Sequence, residues 1–245
     1  MNGWHPEGYG PKTKTRDRMR LTKMSLEGRV PKRLVLHEVV QVENAVNYVN
    51  YRTRKDALKK TLEQTHVDSD SLWPNPSTAP CERVRTGQVE LHPGAADEFL
   101  HLDEDLNEVY LWHGTKAGAA FDIAKAAFDI DRAGSAVGLL FGAGLYFAES
   151  CLKADEYALP AVREDGTKVY PLLLARVLLG RTNLCRDRTP DAAQLKRSCR
   201  EVGAKYDSLI GDREFVNKTF REFVVFDSKQ VYPEYIVWYK KDEFY

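Results

Sequence analysis

The apolar residues of this chain fall into short runs separated by polar and glycine-containing stretches. Residues 34–42, LVLHEVVQV, are aliphatic and β-branched, which predicts a strand. Asn44 stands where a helix cap belongs. Val46, Val49, Thr53, Ala57 and Leu62 then recur at helical spacing to about Gln64. This predicts a docking helix with that face buried, and with Lys55, Lys59 and Lys60 lying away from most of it. Residues 66–94 contain Pro74, Pro76, Pro80 and Pro93 and read as a long irregular connection, with a short strand within 84–91. Residues 97–107 are acidic and predict a short helix. Residues 109–112, VYLW, form a strand that runs into His113-Gly114-Thr115. An alanine-rich helix follows over 116–128, with Ala120, Ile123, Ala124 and Ala127 inward. Residues 129–140 read as a loop carrying Asp131, Arg132, Gly134, Ser135 and Gly138.

The chain is organised around residues 138–157, GLLFGAGLYFAESCLKADEY. Gly138, Gly142 and Gly144 permit positive φ and close approach of a ligand to the main chain. Leu145-Tyr146-Phe147 reads as a short buried strand and 149–158 as a helix. That order brings Tyr146 and Tyr157 to one backbone-lined pocket, a slot suited to a flat ring. A plain turn into a core strand accounts for the stretch equally well. Beyond it, 169–178 is a strong strand ended by Gly180, and 181–205 is charged and irregular, with a helix over 192–200. Residues 206–211 read as a loop ending at glycine. EFVV at 222–225 and YIVWY at 235–239 are closing strands, with Asp227-Ser228 as a turn between them. Short strands with interspersed helices and no βαβ repeat argue for the α+β class.

Composition narrows the class. With 43% hydrophobic and 29% charged residues, 245 residues suffice for one large domain. Formal net charge is zero, so the whole chain is no electrostatic binder of nucleic acid. No apolar run reaches the length of a membrane span, and no signal-peptide core stands at the N-terminus. Cys81, Cys151, Cys185 and Cys199 are widely spaced and form no CxxC or Cys/His ligand pattern. Neither a metal site nor a disulfide framework is expected, and an intracellular location, nuclear or cytoplasmic, follows. Residues 1–29 are set apart as a basic, Gly/Pro-containing tail, leaving 30–245 as the folded domain.

Three motifs in order, HGT, FGAGLYFAES with KADEY, and REFVVFDSKQVYPEYIV, resemble the catalytic domain of poly(ADP-ribose) polymerases, with tankyrase-like wording in FGAGLYFAE and YPEY. The similarity spans roughly 31–239. It implies an ADP-ribosyltransferase fold: two small, splayed, mainly antiparallel sheets around an NAD+ cleft. It also implies a His-Tyr-Glu triad of His113, Tyr146 and Glu222. His113 would bond the 2′-hydroxyl of the nicotinamide ribose, and Gly114 would hold the carboxamide through its backbone. Tyr146 and Tyr157 would sandwich the nicotinamide ring. Glu222 would be the catalytic glutamate; by residue type alone it is a surface glutamate at a strand edge. Thr115, Phe147, Ala148 and Lys153 fall within the same motifs and count as donor-site residues. Arg132 lies in the segment that would cover the adenosine end. One departure stands out. The family usually has serine where Ala154 stands, and loss of that hydroxyl removes about 0.5–1.5 kcal/mol of carboxamide binding.

Such a site cleaves the bond between nicotinamide and ribose through an oxocarbenium-like transition state. A carboxylate hydrogen-bonded to the ribose 2′-hydroxyl pushes electron density toward that centre and, fixed in advance, stabilises the charge as it develops. The resemblance therefore implies transfer of ADP-ribose from NAD+, without a metal, to a protein acceptor or a nucleic-acid end. An intact triad suits elongation to poly(ADP-ribose). Two other readings remain open at this point. One is a non-catalytic module that binds NAD+, ADP-ribose or a partner, which the intact triad argues against and the Ala154 departure keeps open. The other is an NAD-dependent oxidoreductase, for which Gly142-x-Gly144-xxx-Ala148 is a near match lacking a preceding clean strand.

Overall fold

A computed structural model describes residues 31–62, 101–132, 139–217 and 219–244. The basic tail, the proline-containing connection with its expected strand, and the loop residues Gly134, Ser135 and Gly138 lie outside them. The described chain forms two sheets. The first has strand order β1-β9-β5-β2, from β1 (Pro31–Gln41), β9 (Val231–Phe244), β5 (Lys168–Leu178) and β2 (Glu108–Gly114), all antiparallel. A two-residue strand, β4 (Ala161–Val162), also pairs with β5. The second has order β3-β8-β7-β6, from β3 (Leu145–Phe147), β8 (Glu222–Val225), β7 (Ser208–Gly211) and β6 (Thr182–Cys185). Only β6 and β7 run parallel within it. This is the mixed, mainly antiparallel α+β architecture expected. Among the described residues there is no doubly wound parallel sheet of the kind that carries a dinucleotide fingerprint.

An isolated backbone bridge joins the two sheets. Trp112, near the end of β2, exchanges both backbone hydrogen bonds with Ala148, just after β3, at 2.8 and 2.9 Å. From this junction they diverge. The core fills the space between them with Val109, Leu111, Leu173, Val177 and Ile236 from the first sheet, and Leu145, Phe147, Phe223 and Val225 from the second. Strand β5 is buried along almost its whole length, as a central strand with both faces covered must be.

Among the described residues, five α-helices decorate the sheets: α1 (Ala45–Leu62), α2 (Ala117–Ala126), α3 (Cys151–Asp155), α4 (Ala192–Arg200) and α5 (Arg213–Asn217). Asn44 caps α1 by accepting from the Asn47 amide at 3.1 Å. The buried face of α1 differs from the expected one. Asn47, Tyr51, Lys55, Leu58 and Leu62 are inside, while Val46 and Val49 are exposed. Lys55 is drawn in because the buried carboxylate of Glu108 needs a cation, and its Nζ lies 2.5 Å from Glu108 Oε2. Three further differences are local. Residues 208–211 are a strand rather than a loop, since all four are buried between β8 and β6. Strand β6 lies in the stretch read as irregular. The acidic segment gives one 3-10 turn, Glu104–Leu106, and the helix expected over 149–158 is only the five residues of α3.

Candidate active site

The cleft opens where the sheets diverge. Past the Trp112–Ala148 junction, β2 delivers His113 and Gly114 directly beside β3. Across β3, Tyr146 pairs with Val224 and Phe147 with Phe223 of β8. Glu222 is two residues from Val224, so its side chain shares the face of Val224 and Tyr146. The register thus sets Tyr146 and Glu222 on one face, while His113 stands opposite Phe147 on the alternate face; all three line the opening where the sheets diverge.

Each side chain is fixed by its neighbours. His113 Nδ1 lies 2.9 Å from the carbonyl oxygen of Tyr146, which can only accept, so Nδ1 carries the proton. Phe128 meets the imidazole edge-on at a centroid distance of 5.1 Å, and Phe147 packs at 5.5 Å. This enclosure lowers the histidine pKa below its ordinary value, against the opposing pull of the Tyr146 carbonyl. The ring is therefore neutral near pH 7, with Nε2 a bare acceptor. The Tyr146 hydroxyl donates to the Gly142 carbonyl at 2.8 Å and accepts from the Phe141 amide at 3.0 Å. Burial pushes its pKa upward, so it stays a donor. Gly142 itself takes φ +91°, which its lack of a side chain allows.

Gly114 must be glycine for a steric reason. A Cβ there would stand 1.7 Å from the Ala154 carbonyl oxygen in α3. The main chains of β2 and α3 thus touch at the bottom of the slot. Ala154 lines the cleft and is also packed against Ala158, Leu172 and Tyr239. Next to it in α3, Lys153 reaches three acceptors: Glu156 Oε2 at 2.8 Å, Glu222 Oε1 at 3.0 Å and the Tyr157 hydroxyl at 3.3 Å. Burial would lower the lysine pKa, but Glu222 and Glu156 together raise it. Asp155 points the other way, accepting from the Tyr239 hydroxyl and pairing with Lys241, both on β9.

The cleft has a volume of about 920 Å³, near the upper end for small-molecule sites. All eleven expected site residues line it: His113, Gly114, Thr115, Arg132, Tyr146, Phe147, Ala148, Lys153, Ala154, Tyr157 and Glu222. Tyr157 is half exposed, and Arg132 stands at the rim, largely in solvent and paired with Asp129 at 3.2 Å. Lys116, Asp122, Phe128, Asp129, Leu159 and Ser228 also line the cleft and were not singled out from sequence. Asp122 lies on α2, where a search for apolar spacing passes it over. Glu156 was missed too, although its place three residues after Lys153 is the ordinary spacing of a helical ion pair. No group of three or more metal-ligating side chains occurs among the described residues, and no described helix is long and apolar enough to cross a membrane.

Residues 50–241 match the family model described as the poly(ADP-ribose) polymerase catalytic domain. Among curated relatives, a tankyrase of Caenorhabditis elegans, named a poly(ADP-ribose) polymerase, is 27% identical over 183 residues, which is 62% of this chain and 8% of that protein. The mouse protein mono-ADP-ribosyltransferase PARP12 is 31% identical over 139 residues, 56% of this chain and 17% of the relative. Mouse PARP11, also named a mono-ADP-ribosyltransferase, is 28% identical over 150 residues, covering 54% and 42%. The chain thus aligns with less than half the length of each of these relatives. The family match runs from within α1 to near the end of β9 and takes in every strand that frames the cleft. On that match the chain belongs to the poly(ADP-ribose) polymerase catalytic-domain family of NAD+ ADP-ribosyltransferases.

Proposed function

We propose that this chain transfers ADP-ribose from NAD+ to a macromolecular acceptor, releases nicotinamide, and elongates its product into poly(ADP-ribose). The observation that carries the reading is Glu222, a carboxylate held at one end by Lys153 in the cleft that His113 and Tyr146 also line. The relatives' names include both poly- and mono-transferases, and the presence of this glutamate favours elongation.

In this reading nicotinamide stacks between Tyr146 and Tyr157, with its carboxamide on the Gly114 backbone. Nicotinamide leaves as positive charge grows on the ribose carbon, and Glu222, fixed beforehand, stabilises that charge. The tautomer of His113 refines the assignment. With Nδ1–H spent on the Tyr146 carbonyl, Nε2 accepts a proton from the ribose. Glu222 is an acceptor as well, and one hydroxyl has one proton to give. The two residues therefore take the two neighbouring hydroxyls of the ribose, rather than both taking the 2′-hydroxyl. A protein side chain is the favoured acceptor, with a nucleic-acid end as the alternative. On sequence alone we read the protein as intracellular, and residues 30–245 as the catalytic unit.

Incubation with labelled NAD+, followed by sizing of the labelled product, tests the proposal. A ladder of long products supports elongation. A single added unit restricts the chain to mono-transfer, and absence of both labelled product and free nicotinamide overturns the reading. Removal of residues 1–28 should leave nicotinamide release within about a few-fold, because the tail lies outside the matched region.

A further inference from the structure

We propose that Glu156 is a positioning residue for Glu222, acting through Lys153: it takes up part of the lysine's charge and so keeps Glu222 an effective anion at the ribose. The inference rests on the reading of Glu222 given above. It starts from a count of donors. An ammonium group has three N–H donors. Lys153 faces three acceptors: Glu156, Glu222 and the Tyr157 hydroxyl. The shortest of these contacts, 2.8 Å, goes to Glu156, and the Glu156 side chain has no exposed surface. A carboxylate that far from solvent is kept charged by the partner beside it.

The arrangement matters for charge at the reacting centre. Glu222 alone with Lys153 would be a neutral pair. Its field at the ribose would be largely cancelled, and the lysine would draw both carboxylate oxygens away from the substrate. With Glu156 included, these three groups sum to one negative charge, which balances the Arg213 guanidinium of α5 that also interacts with Glu222; without Glu156 the two cations would outweigh Glu222. The lysine is then divided, and Glu222 is anchored through Oε1 with Oε2 left for the ribose. Tyr157 gains as well, because its ring sits 5.1 Å from the same ammonium and its hydroxyl receives the third proton. A single buried carboxylate thus sets the position of the lysine, the orientation of Glu222 and one wall of the nicotinamide slot.

The test is a double-mutant cycle on the full chain, read by steady-state nicotinamide release, with thermal unfolding as a fold control. Glu156→Gln keeps size and one acceptor but loses charge. It should lower kcat by about 10- to 30-fold while changing KM for NAD+ by about 2-fold or less. In the Lys153→Met background, the same substitution should change kcat by about 2-fold or less, because Glu156 then has no lysine through which to act. Equal losses in both backgrounds would mean that Glu156 serves packing alone, and the proposal would fail. It would also fail if Glu156→Gln left kcat unchanged in folded protein. Glu222→Gln is run alongside. Full turnover in that variant would overturn the underlying reading of Glu222, whereas loss there with no loss in Glu156→Gln would overturn this inference alone.

Discussion

Two of the buried charge clusters among the described residues are built to opposite ends. Behind the first sheet, Glu108 accepts from the Tyr51 hydroxyl, the Lys55 ammonium and the Asp103 amide at 2.5, 2.5 and 2.8 Å. Arg176 and Glu234 continue the network, and the Tyr110 hydroxyl donates to Glu234 at 3.0 Å. None of these groups lines the cleft. In the cleft, Lys153, Glu156 and Glu222 are as close together as the groups behind the sheet. Yet the Glu222 side chain keeps 16% of its surface open, against 1% for Glu108. The first cluster closes on itself and fixes how α1 and the strands dock. The second leaves one carboxylate edge facing a space large enough for a ligand. Burial and pairing are common to both, so neither distinguishes chemistry from architecture. The accessible edge does.

Four experiments sharpen or break that contrast. The largest effect is expected behind the sheet. Glu108→Ala leaves Lys55 and Tyr51 without their shared acceptor and should cost about 3–5 kcal/mol of unfolding free energy in urea titrations. Nicotinamide release per folded molecule should stay within about 3-fold. A loss of turnover with no loss of stability would mean the rear cluster serves the reaction. Glu222→Gln should do the reverse. It should lower turnover by about 10²–10³ while shifting stability by less than about 1 kcal/mol, since Lys153 keeps Glu156. Near-normal turnover in this variant would remove the functional half of the contrast.

The third concerns His113, a neutral group between the two cases. Its folded pKa lies below the ordinary value of about 6.5 because burial disfavours the charged ring. Between those two values the unfolded chain binds a proton that the folded chain does not. Stability is therefore present above about pH 6.5 and falls as the pH drops, by at most about 1.4 kcal/mol per pH unit for one proton. His113→Gln should flatten unfolding free energy measured between pH 6.5 and 5; an unchanged slope would mean that the ring is not held neutral. The smallest effect is expected at Ala154. Ala154→Ser should tighten nicotinamide-mimicking inhibitors by about 2- to 10-fold, one net hydrogen bond, and NAD+ by less. Unchanged titrations with reduced stability would show that the new hydroxyl turns towards Leu172 and Tyr239 instead.

The central strands were legible because their signal is local. EFVV at 222–225 coincides with β8, and the run at 169–178 is β5 but for one residue. The cleft residues were legible through three motifs whose members the fold brings together. The buried face of α1 was not. Lys55 is a poor candidate for burial until Glu108, more than fifty residues later, supplies the charge that draws it inward. Strands β6 and β7 were hidden for a related reason: TNLC and SLIG mix polar residues and a glycine with few β-branched ones, and β7 is defined by the strands on either side of it. Glu156 was overlooked because α3 was read for its apolar positions, while its information lies in its charges.

Helix α3 and the two residues after it assign successive positions to different clients. Lys153 goes to Glu222, Ala154 lays its carbonyl on Gly114, and Asp155 ties down Tyr239 and Lys241. Glu156 returns to Lys153, and Tyr157 lines the cleft. A helix turns about 100° per residue, so within α3 the directions of Lys153, Ala154 and Asp155 are set by counting, and the turn that follows sets those of Glu156 and Tyr157. Inserting or deleting one residue at the start of α3 would turn the following side chains by about that angle and misdeliver their contacts together. Point substitutions here remove one contact each. A change in length within α3 has no mild version, because it displaces the contacts to Glu222, Gly114, Tyr239 and Lys241 at once.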